Sequence, residues 1–163
     1  MGETFLLYAT LQTLHVLAIV VWVGGMAFSH FFLRPALDVL QPPQRVALMQ
    51  AVLARFFGAV LVAVVVTLIT GLWMIGRVAK QAVQGGGSFA MPPSWTVMAV
   101  LGVLMMLIFG HIRFVLYKRL REAVTALDTA RGAAQLLSIR RWVGVNLLLG
   151  VAVIAVAVLK LPA

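Results

Sequence analysis

FFGAVLVAVVVTLITGLWMIG, residues 56–76, runs without a charge between Arg55 and Arg77. As a helix rising about 1.5 Å per residue it is about 30 Å long, the thickness of the hydrocarbon core of a bilayer. Three further apolar runs have the same character. One extends from Phe5 to Leu33 and stops at Arg34–Pro35, where the residue before a proline is pushed out of helical geometry. The others are Trp95 to Tyr117, with aromatic residues at both ends as interface anchors, and Trp142 to Leu161, bounded by Arg141 and Lys160. The expected fold is therefore all-α: a polytopic membrane protein, a single bundle of four transmembrane helices near residues 5–33, 56–76, 95–117 and 142–161.

Composition supports this reading from a different direction. Of 163 residues, 63% are hydrophobic and only 10% charged, with a mean hydropathy of +1.08. A soluble domain is nearer half apolar and a quarter charged, so there is too little polar surface here to cover a globule in water. The net charge of +9 does not mark a nucleic-acid binder, because the basic residues sit at the ends of apolar runs and no soluble basic domain carries them. There is no cysteine, which removes disulfides, thiolate metal sites, iron–sulfur clusters and Cys-x-x-Cys-His haem attachment.

The connections are legible as well. Asp38, Pro42–Pro43 and Arg45 follow the first run, and residues 44–55 read as an interfacial amphipathic turn entering the second helix. Gly85–Gly86–Gly87 and Pro92–Pro93 mark a loop. Residues 118–141 continue helix three beyond the membrane and then turn near Gly132. Ten Lys and Arg residues lie on the side of the first and third connections: Arg34, Arg45, Arg55, Arg113, Lys118, Arg119, Arg121, Arg131, Arg140 and Arg141. The other side has Arg77, Lys80 and Lys160. By the positive-inside rule both termini are outside, periplasmic in a bacterial inner membrane. The start, MGETFLLYAT, has no basic n-region and carries Leu6 where a myristoylation signal has Ser or Thr, so the first run is expected to remain as an unmodified helix.

Ionisable groups inside a bilayer are costly, so those present are functional candidates. The chain has three histidines, His15 and His30 on helix one and His111 on helix three. At about 100° per residue, His15, Trp22 and Met26 share a stripe, with His30 about 60° away. Gly24–Gly25 beside that stripe would let a helix or a flat cofactor approach the backbone. His15 and His30 are about 22 Å apart along the axis and cannot share one metal ion; His111 is expected between them in depth. Carboxylates supply nothing here, since Glu3, Asp38, Glu122 and Asp128 fall at ends or in loops. The glycine run is followed by Ser–Phe and is no phosphate loop.

Three readings follow for the histidines. They could be axial ligands of haem b between helices one and three, with Trp22 lining the pocket and Arg34, Arg113 and Lys118 meeting the propionates. They could hold copper, to which imidazole and thioether donors are suited. They could be structural, in an accessory membrane subunit without a cofactor. The methionines weigh less: Met98 and Met105 lie about 120–140° from His111, and no pair has a three- or four-residue spacing. The leading expectation is a haem b protein, with one or two haems, moving electrons and exchanging them with quinone or a redox protein. Copper transport or tolerance is the alternative. Partners beyond the lipid bilayer include other copies of the chain.

LHVLAIVVWVGGMAF at 14–28, followed by LRPAL at 33–37, resembles the CopD-like family of bacterial membrane proteins, named for copper resistance. That family opens with a His, six apolar residues, Trp-Val-Gly-Gly and then Arg-Pro. Farther on, the helix layout and Gly110–His111–Ile112–Arg113 agree. The same pattern is similar to the four-helix HemJ-type protoporphyrinogen oxidases, which bind haem b. Their helix-one and helix-three histidines correspond to His15 and His111. Ala99 or a neighbour stands where they carry a lysine after Trp95, so this second resemblance implies haem binding rather than that oxidation.

Overall fold

A computed structural model describes residues 2–159, and the side chains of residues 5–159. The chain ends, with the Met1 start, Lys160 and the expected last turn to Leu161, lie outside the described residues. Four long helices account for nearly everything else, and among the described residues there is no strand. They are α1 (Phe5–Val39), α2 (Pro42–Gln84), α3 (Pro93–Thr125) and α4 (Thr129–Leu159), each long and apolar enough to cross a membrane. Large apolar side chains face outward along them, among them Leu72, Leu107 and Leu148. Such a surface is stable against lipid and not against water.

One contiguous core joins all four helices. On α2 the buried residues Val46, Met49, Leu53, Phe57, Val60 and Val64 recur every three or four positions and form one stripe. The stripe crosses Arg55 without a break, and for this reason residues 44–55 are the first turns of α2 rather than a separate interfacial element. A capping box starts the helix: the Gln44 side chain accepts from the Gln41 N–H at 3.2 Å, and the Gln41 side chain reciprocates, with Pro42 in the first turn. At the other end Arg77 and Lys80 do not stop α2. It runs on to Gln84 and ends where Gly86 takes φ 78.

The helix-one boundary also moves. α1 does not stop at Arg34–Pro35 but continues to Val39. A π-helical turn, Ser29–Leu33, comes just before the proline, and the Arg34 N–H bonds to the Ser29 carbonyl five residues back. Widening the turn makes room for the proline ring, which in a regular α-helix meets the carbonyl four residues before it. A second π turn, Ile112–Leu116, begins directly after His111 in α3. The continuation of α3 past the apolar run is as expected, but the reversal falls at Ala126–Asp128, not at Gly132. Leu127 adopts φ 55 there, and the Asp128 carboxylate accepts from the Arg131 N–H at 2.9 Å to cap α4. Gly132 instead lies buried within α4, where an added Cβ would come 2.7 Å from Val46.

Gly150 of α4 has the same use opposite α1. An added Cβ would come 2.8 Å from Val23 Cγ2 and 3.2 Å from Met105 Cε. Valine in a helix has essentially one rotamer, so the backbones must separate to admit a methyl group. Gly150→Ala is therefore expected to destabilise the bundle by about 1–3 kcal/mol, read as a lower midpoint of thermal unfolding in detergent. Gly24, whose Cβ position has nothing within 4 Å, is the matched control. Gly24→Ala should be neutral, or stabilising by up to about 1 kcal/mol through helix propensity.

Candidate functional site

Each histidine is held against a different neighbour. His15 meets α2: its Nδ1 lies 2.8 Å from Thr70 Oγ1, and its ring is 3.3 Å from where a Gly71 Cβ would be. Thr70 is buried, and its hydroxyl lies 2.6 Å from the Val66 carbonyl oxygen. A hydroxyl has a single proton, and the carbonyl can only accept it. The Thr70 oxygen therefore accepts from His15, Nδ1 carries the ring proton, and the lone pair is on Nε2. A ring fixed in this way is the usual arrangement behind a metal-binding imidazole.

His30 lies inside the first π turn and faces α4, its Cε1 3.6 Å from the Cβ position of Gly144. With Leu137, Arg140, Arg141 and Gly144 it lines an open cleft of about 390 Å³. Its Nδ1 is buried without a hydrogen-bond partner. Arg34, one turn on, donates from Nη1 to the Leu136 carbonyl at a long 3.5 Å, while its Nε and Nη2 are buried and unpartnered. His111 is exposed on the outer side of α3, edge-on to Trp142 with ring centroids 5.5 Å apart.

The register follows from these contacts. Gly150 opposite Val23 and Gly144 opposite His30 set α1 and α4 antiparallel. Trp142, two residues before Gly144, then puts His111 at about the level of His30 rather than midway to His15. His15 is about 22 Å from that level. Trp142 and Gly144 point to opposite sides of α4, about 200° apart, so that helix stands between His30 and His111. No two imidazoles converge on one iron. Among the described residues no group of three or more His, Cys, Asp or Glu could hold a metal ion. The residues present do not fit a bis-histidine haem b.

The other sequence candidates are occupied by packing. Trp22 is buried edge-on to Phe109, which meets Phe57, which meets Tyr117, with centroid distances of 6.1, 5.9 and 5.4 Å. This column fills the bundle centre where a flat cofactor would lie. Gly25 does admit a close neighbour, but the neighbour is the Phe56 ring. Arg113 lies over the Tyr117 ring at 5.3 Å and near Phe114 at 5.8 Å. Thr70 is not among the candidate residues above: its contact with the Val66 carbonyl four residues back acquires meaning only through the partner across the bundle, His15. Asn146 is buried with its Oδ1 unpartnered.

Fold and site together define a four-helix integral membrane protein whose two half-buried imidazoles sit over glycines of neighbouring helices. Comparison with known families is more specific. The family described as copper resistance protein D, CopD, matches residues 50–160, more than half of the chain, and the chain belongs to that family. The match begins within α2, beyond the 14–37 segment on which the sequence resemblance chiefly rests. No curated protein and no solved structure matches the chain.

The tautomer of His15 is directly measurable. Ring ¹⁵N shifts of the protein in detergent should show Nδ1 protonated and Nε2 unprotonated at neutral pH. Thr70→Val should abolish this preference while leaving His30 and His111 unchanged.

Proposed function

We propose that the protein handles copper in the membrane, as a transport or tolerance protein, with His15 as its principal intramembrane donor. The observation that carries the reading is the Nδ1 bond to Thr70, which aims the lone pair from Nε2, taken together with membership of the copper resistance protein D family. Met74 lies one turn along α2 from Thr70 on the same helix face. Imidazole and thioether together suit Cu(I). A site with few donors also suits an ion that must leave again, since conduction requires binding weak enough for release. The excess of Lys and Arg on the side of the α1–α2 and α3–α4 connections supports termini outside a bacterial inner membrane.

The test is Cu(I) binding by the detergent-purified protein, competed against a chromogenic chelator, beside copper tolerance of cells that depend on the gene. His15→Ala should abolish the competable site. Thr70→Val should weaken it about 10–100-fold by releasing the ring, and His111→Ala should leave it unchanged. Copper binding that survives His15→Ala sinks the assignment.

Haem b with an electron-transfer role, in exchange with quinone or another redox protein, is the competing reading, because a Nε2 lone pair suits iron as well. Absorption spectra of the oxidised and dithionite-reduced protein separate the two. The expected result is no Soret band in protein from haem-replete cells. A Soret band with a sharp reduced α-band, lost in His15→Ala, would replace copper with haem.

A further inference from the structure

The cleft between α1 and α4 contains an uncompensated cluster of positive charge. Arg140 acts electrostatically on both His30 and Arg34, and Arg141 stands beside it in the cleft wall. No carboxylate answers them among the described side chains. Asp38 pairs with Arg45 at 3.0 Å, Glu122 with Arg131 at 3.8 Å, and Asp128 caps α4. Three buried nitrogens in or beside the cleft lack partners: His30 Nδ1, Arg34 Nε and Arg34 Nη2. Like charges held together at a membrane boundary, with unpaired donors beside them, call for an anion.

The position of the cluster says which kind. No charged residue occurs from Phe5 to Leu33, and Arg34 is the first after that run. None occurs from Trp142 to Leu159, and Arg140 and Arg141 stand immediately before it. All three arginines therefore mark the same edge of the apolar zone, at headgroup depth. The rest of the cleft wall is apolar or small, Leu137 and Gly144, and the neighbouring outer faces of α1 and α4 are apolar, with Phe31 and Leu148 exposed.

We propose that this cleft binds the phosphate headgroup of an anionic phospholipid, its acyl chains lying along the outer surfaces of α1 and α4. Arg140 and Arg141 supply charge and hydrogen bonds to the phosphate oxygens, the side chain of His30 forms the inner wall, and Arg34 adds its charge from behind. The glycine at 144 keeps the wall open. Basic recesses between transmembrane helices are the usual form of such sites.

The test is native mass spectrometry of the whole protein released from nanodiscs of phosphatidylcholine with a minor fraction of phosphatidylglycerol. Wild type should retain phosphatidylglycerol in preference to phosphatidylcholine. The double variant Arg140→Gln/Arg141→Gln should lose that preference by about tenfold or more, and Gly144→Leu, which fills the cleft without altering charge, should lose it too. Lys118→Gln/Arg121→Gln removes the same charge outside the cleft and should retain it. Equal loss in this control would mean general surface attraction and would overturn the site, as would retention in both cleft variants. If a cleft variant fails to fold, the wild type decides alone. No preference for phosphatidylglycerol, or its full displacement by inorganic phosphate at moderate ionic strength, would overturn a lipid site.

Discussion

Helices in lipid gain nothing by hiding apolar side chains from one another, because the surrounding tails are as apolar as leucine, and so they must be held by fit. Here the fit takes one recurring form, a bulky side chain seated over a glycine of the next helix. Phe56 of α2 sits over Gly25, Val46 of α2 meets Gly132, and Val23 of α1 meets Gly150. Two of the three histidines obey the same rule, His15 over Gly71 and His30 over Gly144. Their place in the bundle is thus set by helix packing first, and their chemistry is exercised from positions that packing has already made rigid.

That order of causes explains what could be read in advance. The four spans were legible because hydropathy is a property of each segment alone, and the lipid-facing residues confirm it. Helix ends were read less well. Arg55, Arg77 and Arg34–Pro35 look like terminators in a linear reading, yet α2 carries its core stripe past Arg55, and α1 accommodates Pro35 by widening a turn. Glycine often marks a turn, but at Gly132 its smallness, needed opposite Val46, is the operative property. The true reversal rests on Leu127, a residue with no turn signature.

The site divides in the same way. That the intramembrane histidines matter could be read from their rarity among apolar residues. Their partners could not, since Thr70 is 55 residues from His15 and Trp142 is 31 from His111. Depth estimated from helix length alone placed His111 between the other two. The contacts of α4 put it level with His30. The glycine pair was open to a helix or a flat cofactor, and the Phe56 ring answers that question for Gly25, just as the Trp22–Phe109–Phe57–Tyr117 column does for the bundle centre. Family membership, resting on residues 50–160, weighs toward copper where the isolated residues point toward haem.

The π turn at Ser29–Leu33 has an effect beyond seating a proline. It adds one residue to a turn without interrupting the rod, so everything after it is rotated by about 100° relative to a regular helix. Before it, α1 meets α2 through His15 and Gly25 and α4 through Val23; after it, α1 meets α4 again through Arg34 and the Leu136 carbonyl. α1 therefore stays against α4 on both sides of the turn while remaining one continuous rod. The charged edge at Arg34 is thereby carried on the same rod as the buried contacts of His15 and Val23, and a change that removed the extra residue of the turn would rotate Arg34 relative to both.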